Sequence, residues 1–482
     1  METLPSLING ESVTTGDTID VLNPSTGELL AVVSACGAAE IDRAVKSARA
    51  TYDEEWSTWS AADRGAVLRR LGGLIRDNLD ELARLESLDT GKPLTQARGD
   101  VTVASRYFEF FGGIVEGFSS EYLGAAPDQI SFTINEPHGV VGHIVPWNYP
   151  IQVAARTVAP ALAAGNCSVL KPAEETPLTA LRLGRLALEA GLPAGVLNIV
   201  VGLGETAGAA LAGHAGVDFL SFTGSVEVGV LVATAAAARV SPVALELGGK
   251  SPHVVFADAD LDRAVPVIAN SILQNAGQTC SAGSRLVVER SIHGELVRRL
   301  EARFRDVKLG VGVDDPDLGP LVNAAQLDRV RGFVSEGREV GRLVCGGGSP
   351  PDPPHEGGFY FEPTIIDDVP LDARIANEEV FGPVLAVMEF GDGEVADALR
   401  IANATEYGLI AAVWTRDIDR ALWLAKRIHA GQVFVNAYGV GGGIELPFGG
   451  FGKSGYGREK GTEGLRAYTR SKTVAVRVGE PA

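Results

Sequence analysis

The stretch "NAGQTCSAGSR", residues 275–285, places one thiol, Cys280, among small residues and glycines. A structural cysteine usually packs in an apolar run as a small hydrophobe. This one has Thr279 and Ser281 as neighbours, with Gly277 and Gly283 close by. A reactive thiolate suits such a turn, and a cysteine that simply lies in a loop fits the same residues equally well. Four other stretches join a polar residue to a rigidifying Pro or Gly: "VPWNYP" (145–150), "LKPAEETP" (170–177), "LELGGKSP" (245–252) and "NEEVFGPV" (377–384). Taken singly, each reads as a structural turn.

A nucleotide signal lies between them. After the strand-like "VLNIVV" come Gly202, Leu203, Gly204, Glu205, Thr206 and Ala207, a GxGxxA pattern that runs through Gly208 into a helical "AGAALAG". This matches the dinucleotide fingerprint. No acidic residue ends a strand about twenty residues further on, where the ribose partner is expected. That place holds "FLSFTGSVEVG", a second strand, turn and helix start with Gly224, Ser225 and Gly229, whose backbone N–H groups and hydroxyl could hold a phosphate. Two such βα turns suggest a modified Rossmann site. A glycine that merely permits a tight turn explains either one alone.

Together and in this order, "VPWNYP", "LKPAEETP", "LELGGKSP", "GQTCSAGSR" and "NEEVFGPV" resemble the motif set of the NAD(P)-dependent aldehyde dehydrogenase superfamily, and the likeness runs from "NPSTGE" at Asn23 to "YTRSKTVAV" near the end. The resemblance implies that Cys280 attacks the aldehyde to form a thiohemiacetal, which loses hydride to NAD and leaves a thioester. Asn148 and the Cys280 N–H are implied as oxyanion donors, and Glu246, between apolar Leu245 and Leu247, as the base that activates water. It further implies Lys171 and Glu174 at the adenosine ribose, Gly224 and Ser225 at the pyrophosphate, Glu379 at the nicotinamide ribose and Phe381 beside the nicotinamide. Lys171 is counted among the catalytic candidates as well. Val145, Pro146, Trp147, Gly204, Gly208, Phe222, Val228, Gly229, Leu247 and Gln326 are expected as secondary cofactor contacts, with the Gly202 turn near the adenine. A carboxylate at Glu174 repels a 2′-phosphate, so NAD is expected over NADP, which Lys171 could still admit weakly. A CoA-acylating relative would typically lack the glutamate found at Glu246, and a non-catalytic binding or structural protein would have little use for Cys280, Glu246 and Asn148.

On the helix after "PWNYP", Tyr149, Gln152, Val153 and Arg156 share one face, which the resemblance turns toward the aldehyde. Thr279, Ser281 and Tyr438 are the other substrate candidates. Arg156 suits a substrate carboxylate, or else a neighbouring acidic side chain. Opposite, Gly439, Gly441, Gly442 and Gly443 stand where several relatives carry rings, so a wide pocket for an aromatic aldehyde or a long semialdehyde is expected.

The elements that must position these residues follow from patterning. From Ala61, Leu68, Leu71, Leu74, Ile75, Leu79 and Leu82 recur at helical spacing, a core face. Beyond Val140, short β-rich runs alternate with helical ones, and a second alternating block runs from "SPHVVF" to "QVFVNA", interrupted by the loop "CGGGSPPDPPHEGG". Such alternation predicts an α/β fold of two doubly wound domains. With the resemblance, residues 1–118 and 138–247 form the NAD-binding domain and 248–448 the catalytic domain. Residues 119–137 and 466–482 become a small β oligomerisation element of a homodimer or homotetramer, and 449–465 a return segment packing on the cofactor domain.

A length of 482 residues fits several domains. The net charge of −19 argues against nucleic acid or an anionic membrane as partner. Four cysteines, without metal-ligand spacing, point to no metal site and to a reducing compartment. With neither a signal peptide pattern nor a membrane-length apolar run, the expected location is cytoplasmic.

Overall fold

The computed structural model describes residues 2–439 and 443–479. Gly441 and Gly442, two of the four glycines expected on the pocket wall, lie outside them. The first large sheet has eight strands. Its parallel centre runs Val243–Glu246, Phe219–Thr223, Val140–Ile144, Cys167–Lys171, Leu197–Ile199 in spatial order. The chain therefore enters at Val140–Ile144, winds outward one way, then crosses to Phe219–Thr223 and winds the other way. The switch point falls between those two strands, where the carboxyl ends open a crevice in doubly wound sheets. Ser6–Ile8 and Glu11–Val13 add antiparallel strands at one edge, and Gly455–Tyr456 at the other.

The second sheet has seven strands and starts at Pro252–Val255. Arg285–Glu289 lies to one side of it and Ile410–Trp414 to the other, all parallel. A separate three-stranded antiparallel sheet joins Tyr122–Ala126, Gln129–Pro137 and Thr469–Arg477. Each large sheet carries its own apolar core, because parallel strands must be covered by helices on both faces. Residues 346–358, the Gly/Pro-rich loop, hold no helix or strand.

The leucine periodicity from Ala61 is interrupted where the sequence pattern shows no break. One helix, Ala61–Asp77, starts on the Ser60 side chain, which accepts from the Asp63 N–H. It stops because Asn78 folds back, its side-chain amide donating to the Leu74 carbonyl at 2.8 Å. A second helix, Leu79–Thr90, then carries Leu82.

Asn166 locks the start of the Cys167–Lys171 strand. Its Nδ2 donates to the carbonyls of Ala161 and Tyr468, and its Oδ1 accepts from the Gly139 N–H. Its own carbonyl accepts from the Trp56 indole at 3.1 Å. Four distant segments thus share one fully buried residue. Asn166→Ala orphans the Tyr468 carbonyl and the Gly139 N–H, so it should destabilise the protein by about 2 kcal/mol or more; urea denaturation will show a lowered midpoint, and an unchanged midpoint would contradict this role.

Candidate active site

The Gly202 turn follows the third strand of its sheet, not the first. Gly202 is a packing glycine, since a Cβ there would collide with the Cys36 carbonyl oxygen. Beyond it the Gly204 N–H donates to Glu174 Oε1 at 3.0 Å. Glu174 is also ion-paired with Lys171 at 2.5 Å, and these contacts hold its carboxyl below the usual range despite burial. The turn therefore faces a carboxylate. Across the switch point, Gly224 lies so close to the Phe222 ring that a Cβ would sit 2.6 Å from it. Ser225 caps the helix Val226–Ala237 by accepting from the Val228 N–H. Bare backbone at Gly224, a capped helix N-terminus and the exposed Val228 make a surface that fits a nucleotide. Gly229 serves packing, its Cα facing Leu247.

A cleft of about 620 Å³ runs from this switch point to the second sheet. It is lined by Pro146, Trp147, Asn148, Tyr149, Val153 and Arg156 from the first motif and the helix after it. Gly224, Ser225, Glu246 and Leu247 join from the same sheet, and Thr279, Cys280, Ser281, Gln326, Glu379, Phe381 and Tyr438 from the other side. Lys171, Glu174, Gly204, Gly208, Val228 and Gly229 are not part of that lining, and Val145 and Phe222 are buried. Lys171 is thus placed with the Glu174 carboxylate, apart from the cleft that holds the thiol.

Asn148 Nδ2 donates to the Gln278 carbonyl at 2.8 Å, two residues before Cys280. Tyr149 Oη pairs with Thr279 Oγ1 at 2.8 Å, and Tyr438 Oη donates to the Ser281 carbonyl at 2.6 Å. The thiol is flanked by fixed neighbours. Burial pushes it up to about 11, against the pull of Arg156 and Lys460 and with help from Glu379 and Glu246. Burial, then the nearby Glu459, raises the Glu246 carboxyl well above the carboxylate range. Neither Glu246 oxygen hydrogen-bonds to protein among the described residues. Glu379 accepts from the Gly249 N–H at 2.9 Å and is pushed up by burial to about 7.

Arg156 settles between its two readings. Its Nε lies 2.5 Å from Glu459 Oε2, both side chains almost fully buried, and its Nη2 donates to Thr223 Oγ1 at 3.3 Å. The guanidinium charge is answered within the protein, not held open for a substrate carboxylate. Glu459 itself, in "GREKG", carries no local signal of this pairing. Gln326 lines the cleft as well, and its amide donates to the Val380 and Phe381 carbonyls, so it holds the Phe381 turn.

A family model described as "Aldehyde dehydrogenase family" matches residues 12–474. The chain belongs to the aldehyde dehydrogenase family. Betaine aldehyde dehydrogenase of Bacillus subtilis (strain 168) is 43% identical over 458 residues, which is 94% of this chain and 93% of that one. The NAD+ complex of an aldehyde dehydrogenase from Bacillus cereus superimposes with a TM-score of 0.96 at 38% identity, covering 99% of this chain and 97% of that one. An indole-3-acetaldehyde dehydrogenase of P. syringae in complex with NAD+ and IAA matches with the same TM-score at 41% identity and the same coverage. This aldehyde dehydrogenase has the α/β fold of its family and is an NAD-dependent oxidoreductase acting on an aldehyde. No helix among the described residues is long and apolar enough to cross a membrane.

With the cofactor absent, the aldehyde dehydrogenase should react with iodoacetamide at Cys280 only slowly near pH 7, and faster as the pH rises toward 9, because the thiol is protonated at rest. Cys36, Cys167 and Cys345 are buried and should label far more slowly. Peptide mass mapping after timed alkylation checks this; a rate independent of pH would contradict a raised thiol.

Proposed function

We propose that this aldehyde dehydrogenase oxidises a bulky, uncharged aromatic aldehyde to its acid, with Cys280 as nucleophile, Asn148 as oxyanion donor and Glu246 as the base for deacylation. The observation that carries the chemistry is the convergence of these three side chains on one cleft. Cys280 releases its proton to solvent water as its sulfur bonds to the aldehyde carbon, and the carbonyl π pair moves onto the oxygen, which lies toward the Asn148 amide and the Cys280 N–H. NAD, when bound by Gly224, Ser225, Glu174 and Glu379, supplies the acceptor for the hydride. Glu246 then takes a proton from water as the water attacks the thioester, releasing the acid and the Cys280 thiolate. A glutamate in this position favours water over CoA as the acyl acceptor. The charged pair Lys171–Glu174 supports NAD over NADP, since the carboxylate is the end left to meet the ribose.

The substrate reading rests on the far end of the cleft, where Tyr149, Phe434, Tyr438 and Phe448 present rings and Gly439 and Gly443 present none. Rings suit an aromatic substrate. With Arg156 paired to Glu459, a semialdehyde carboxylate gains little there. The P. syringae enzyme's indole ligand class is consistent with this choice. A homo-oligomer is supported by exposed apolar side chains on the three-stranded sheet, among them Tyr122, Ile130 and Val476, and by Val230 and Leu231 on the helix Val226–Ala237. Sheet extension between subunits would cover the first group. Four free thiols fit a reducing cytoplasm.

Two experiments test this reading. Glu246→Gln should release about one NADH per site in a burst, with steady turnover lowered roughly 100-fold, while Cys280→Ala forms none; undiminished turnover in Glu246→Gln would assign the base elsewhere. In the parent enzyme the raised carboxyl means that deacylation gains as pH rises and fades in acid. Separately, kcat/KM should rank phenylacetaldehyde and benzaldehyde above acetaldehyde and succinate semialdehyde. Arg156→Lys should not selectively impair the semialdehyde, and a preference for acetaldehyde would overturn the aromatic reading.

A further inference from the structure

Lys92 belongs to "TGKPL", a stretch that the proposed chemistry leaves unused. It follows Gly91, whose left-handed backbone (φ 77°) ends the helix Leu79–Thr90. Its ammonium is fully buried. Nζ lies 2.6 Å from Asp100 Oδ2, 3.4 Å from Glu86 Oε1 and 2.9 Å from the main-chain carbonyl of Asn148. Three donors thus meet three acceptors. The same ammonium sits 4.3 Å from the centre of the Tyr149 ring, whose hydroxyl pairs with Thr279 beside the nucleophile.

The cluster holds the loop from both ends. Glu86 Oε2 accepts from Thr179 Oγ1 at 2.8 Å and from the Ile151 N–H at 3.4 Å, in the first turn of the helix Pro150–Ala164. The Asn148 carbonyl also accepts from Asn275 Nδ2 at 2.9 Å. Asn148 therefore has its carbonyl fixed by Lys92 and Asn275 and its amide fixed against Gln278. A buried ion cluster is a poor route to stability, because apolar residues of similar volume would often serve as well. It does impose geometry that apolar contacts cannot, since an ammonium among two carboxylates and a carbonyl tolerates little displacement.

We propose that Lys92 is a positioning residue for the oxidation: it pins the Asn148 main chain, and the Tyr149 ring with it, so that the Asn148 carboxamide is preorganised where the oxyanion develops. The proposal rests on Asn148 being the oxyanion donor. Lys92 is not part of the cleft lining and acts through Asn148 and its neighbour Tyr149.

The test is a double-mutant cycle on the full-length holoenzyme, read by the rate of the NADH burst in stopped flow. Lys92→Gln is made together with Asp100→Asn to spare the fold an unpaired buried carboxylate, and Lys92→Arg, which keeps the charge and shifts the donors, serves as a second probe. Both are expected to bind NAD within two-fold of the parent by fluorescence titration. Their burst rate should fall roughly 100-fold, the loss that removal of an oxyanion donor brings. Adding Asn148→Ala should lower the rate no further than Asn148→Ala does alone. Losses that multiply across the cycle, or a lowered Tm with an unchanged burst rate, overturn the proposal. An unchanged burst rate in Asn148→Ala alone would instead overturn the underlying reading of Asn148, a result separable from an innocent Lys92.

Discussion

Three loops meet at the thiol through glycines that leave no room for a side chain of their own. A Cβ on Gly249 would strike the Cys280 carbonyl oxygen, one on Gly277 would strike the Gly382 carbonyl, and one on Gly248 would strike the Glu379 carboxylate. The nucleophile turn is thus wedged between the turn after Glu246 and the turn after Glu379. That contact is the reason Glu246 from the first sheet, the Cys280 thiol and the Glu379 carboxylate share one cleft. Its cost lies in the backbone: Asn275, Ala276 and Gly277 are successively left-handed, and so is Phe381. Non-glycine residues in that region cost about 1–3 kcal/mol each. Such strain persists because neighbours over-determine it. Asn275 is tied to Gln96, Asn148 and Gln278, while Gln326 and Arg329 hold the carbonyls of Phe381 and Glu379.

Close packing also sets the electrostatics. Excluding water around Cys280 and Glu246 disfavours both anions: it raises the Glu246 carboxyl and keeps the Cys280 thiol protonated near neutral pH. The nearest relief is Arg156, yet its charge is largely taken by Glu459. The charge that the helix pattern seemed to offer to a carboxylate is paired with Glu459.

How much of this could be read from the chain depends on how local each signal is. The parallel sheets were legible because each βα unit repeats its own alternation, and Cys280, Glu246 and Asn148 stood out because each sits in a short Gly- or Pro-framed motif that the structure does bring to one cleft. The break at Asn78 was hidden because leucine spacing continues across it, and only a side chain folding back on Leu74 ends the helix. Gly202 matched the dinucleotide fingerprint and was expected near the adenine, but its close approach to Cys36 gives no signal in the sequence. Lys92 shares the composition of the chemical motifs, but its partners Glu86, Asp100 and Asn148 come from three segments. The pairing of Arg156 with Glu459 joins the middle of the chain to its end, which no window of sequence displays.

That last pairing depends on how the C-terminal part returns. Ser454 is fully buried; its hydroxyl donates to the Gly248 carbonyl and accepts from the Gly408 N–H, and its carbonyl accepts from the Leu247 N–H. Gly455–Tyr456 then pairs antiparallel with the strand that carries Glu246. Phe448 and Glu459 exchange two backbone hydrogen bonds at 2.7 Å, closing the segment between them into a loop. That closure delivers Glu459 to Arg156 and sets Phe448 beside the guanidinium at 5.3 Å. The first sheet therefore carries Glu246, but the Glu459 beside it comes from a segment that follows the whole second sheet in the chain.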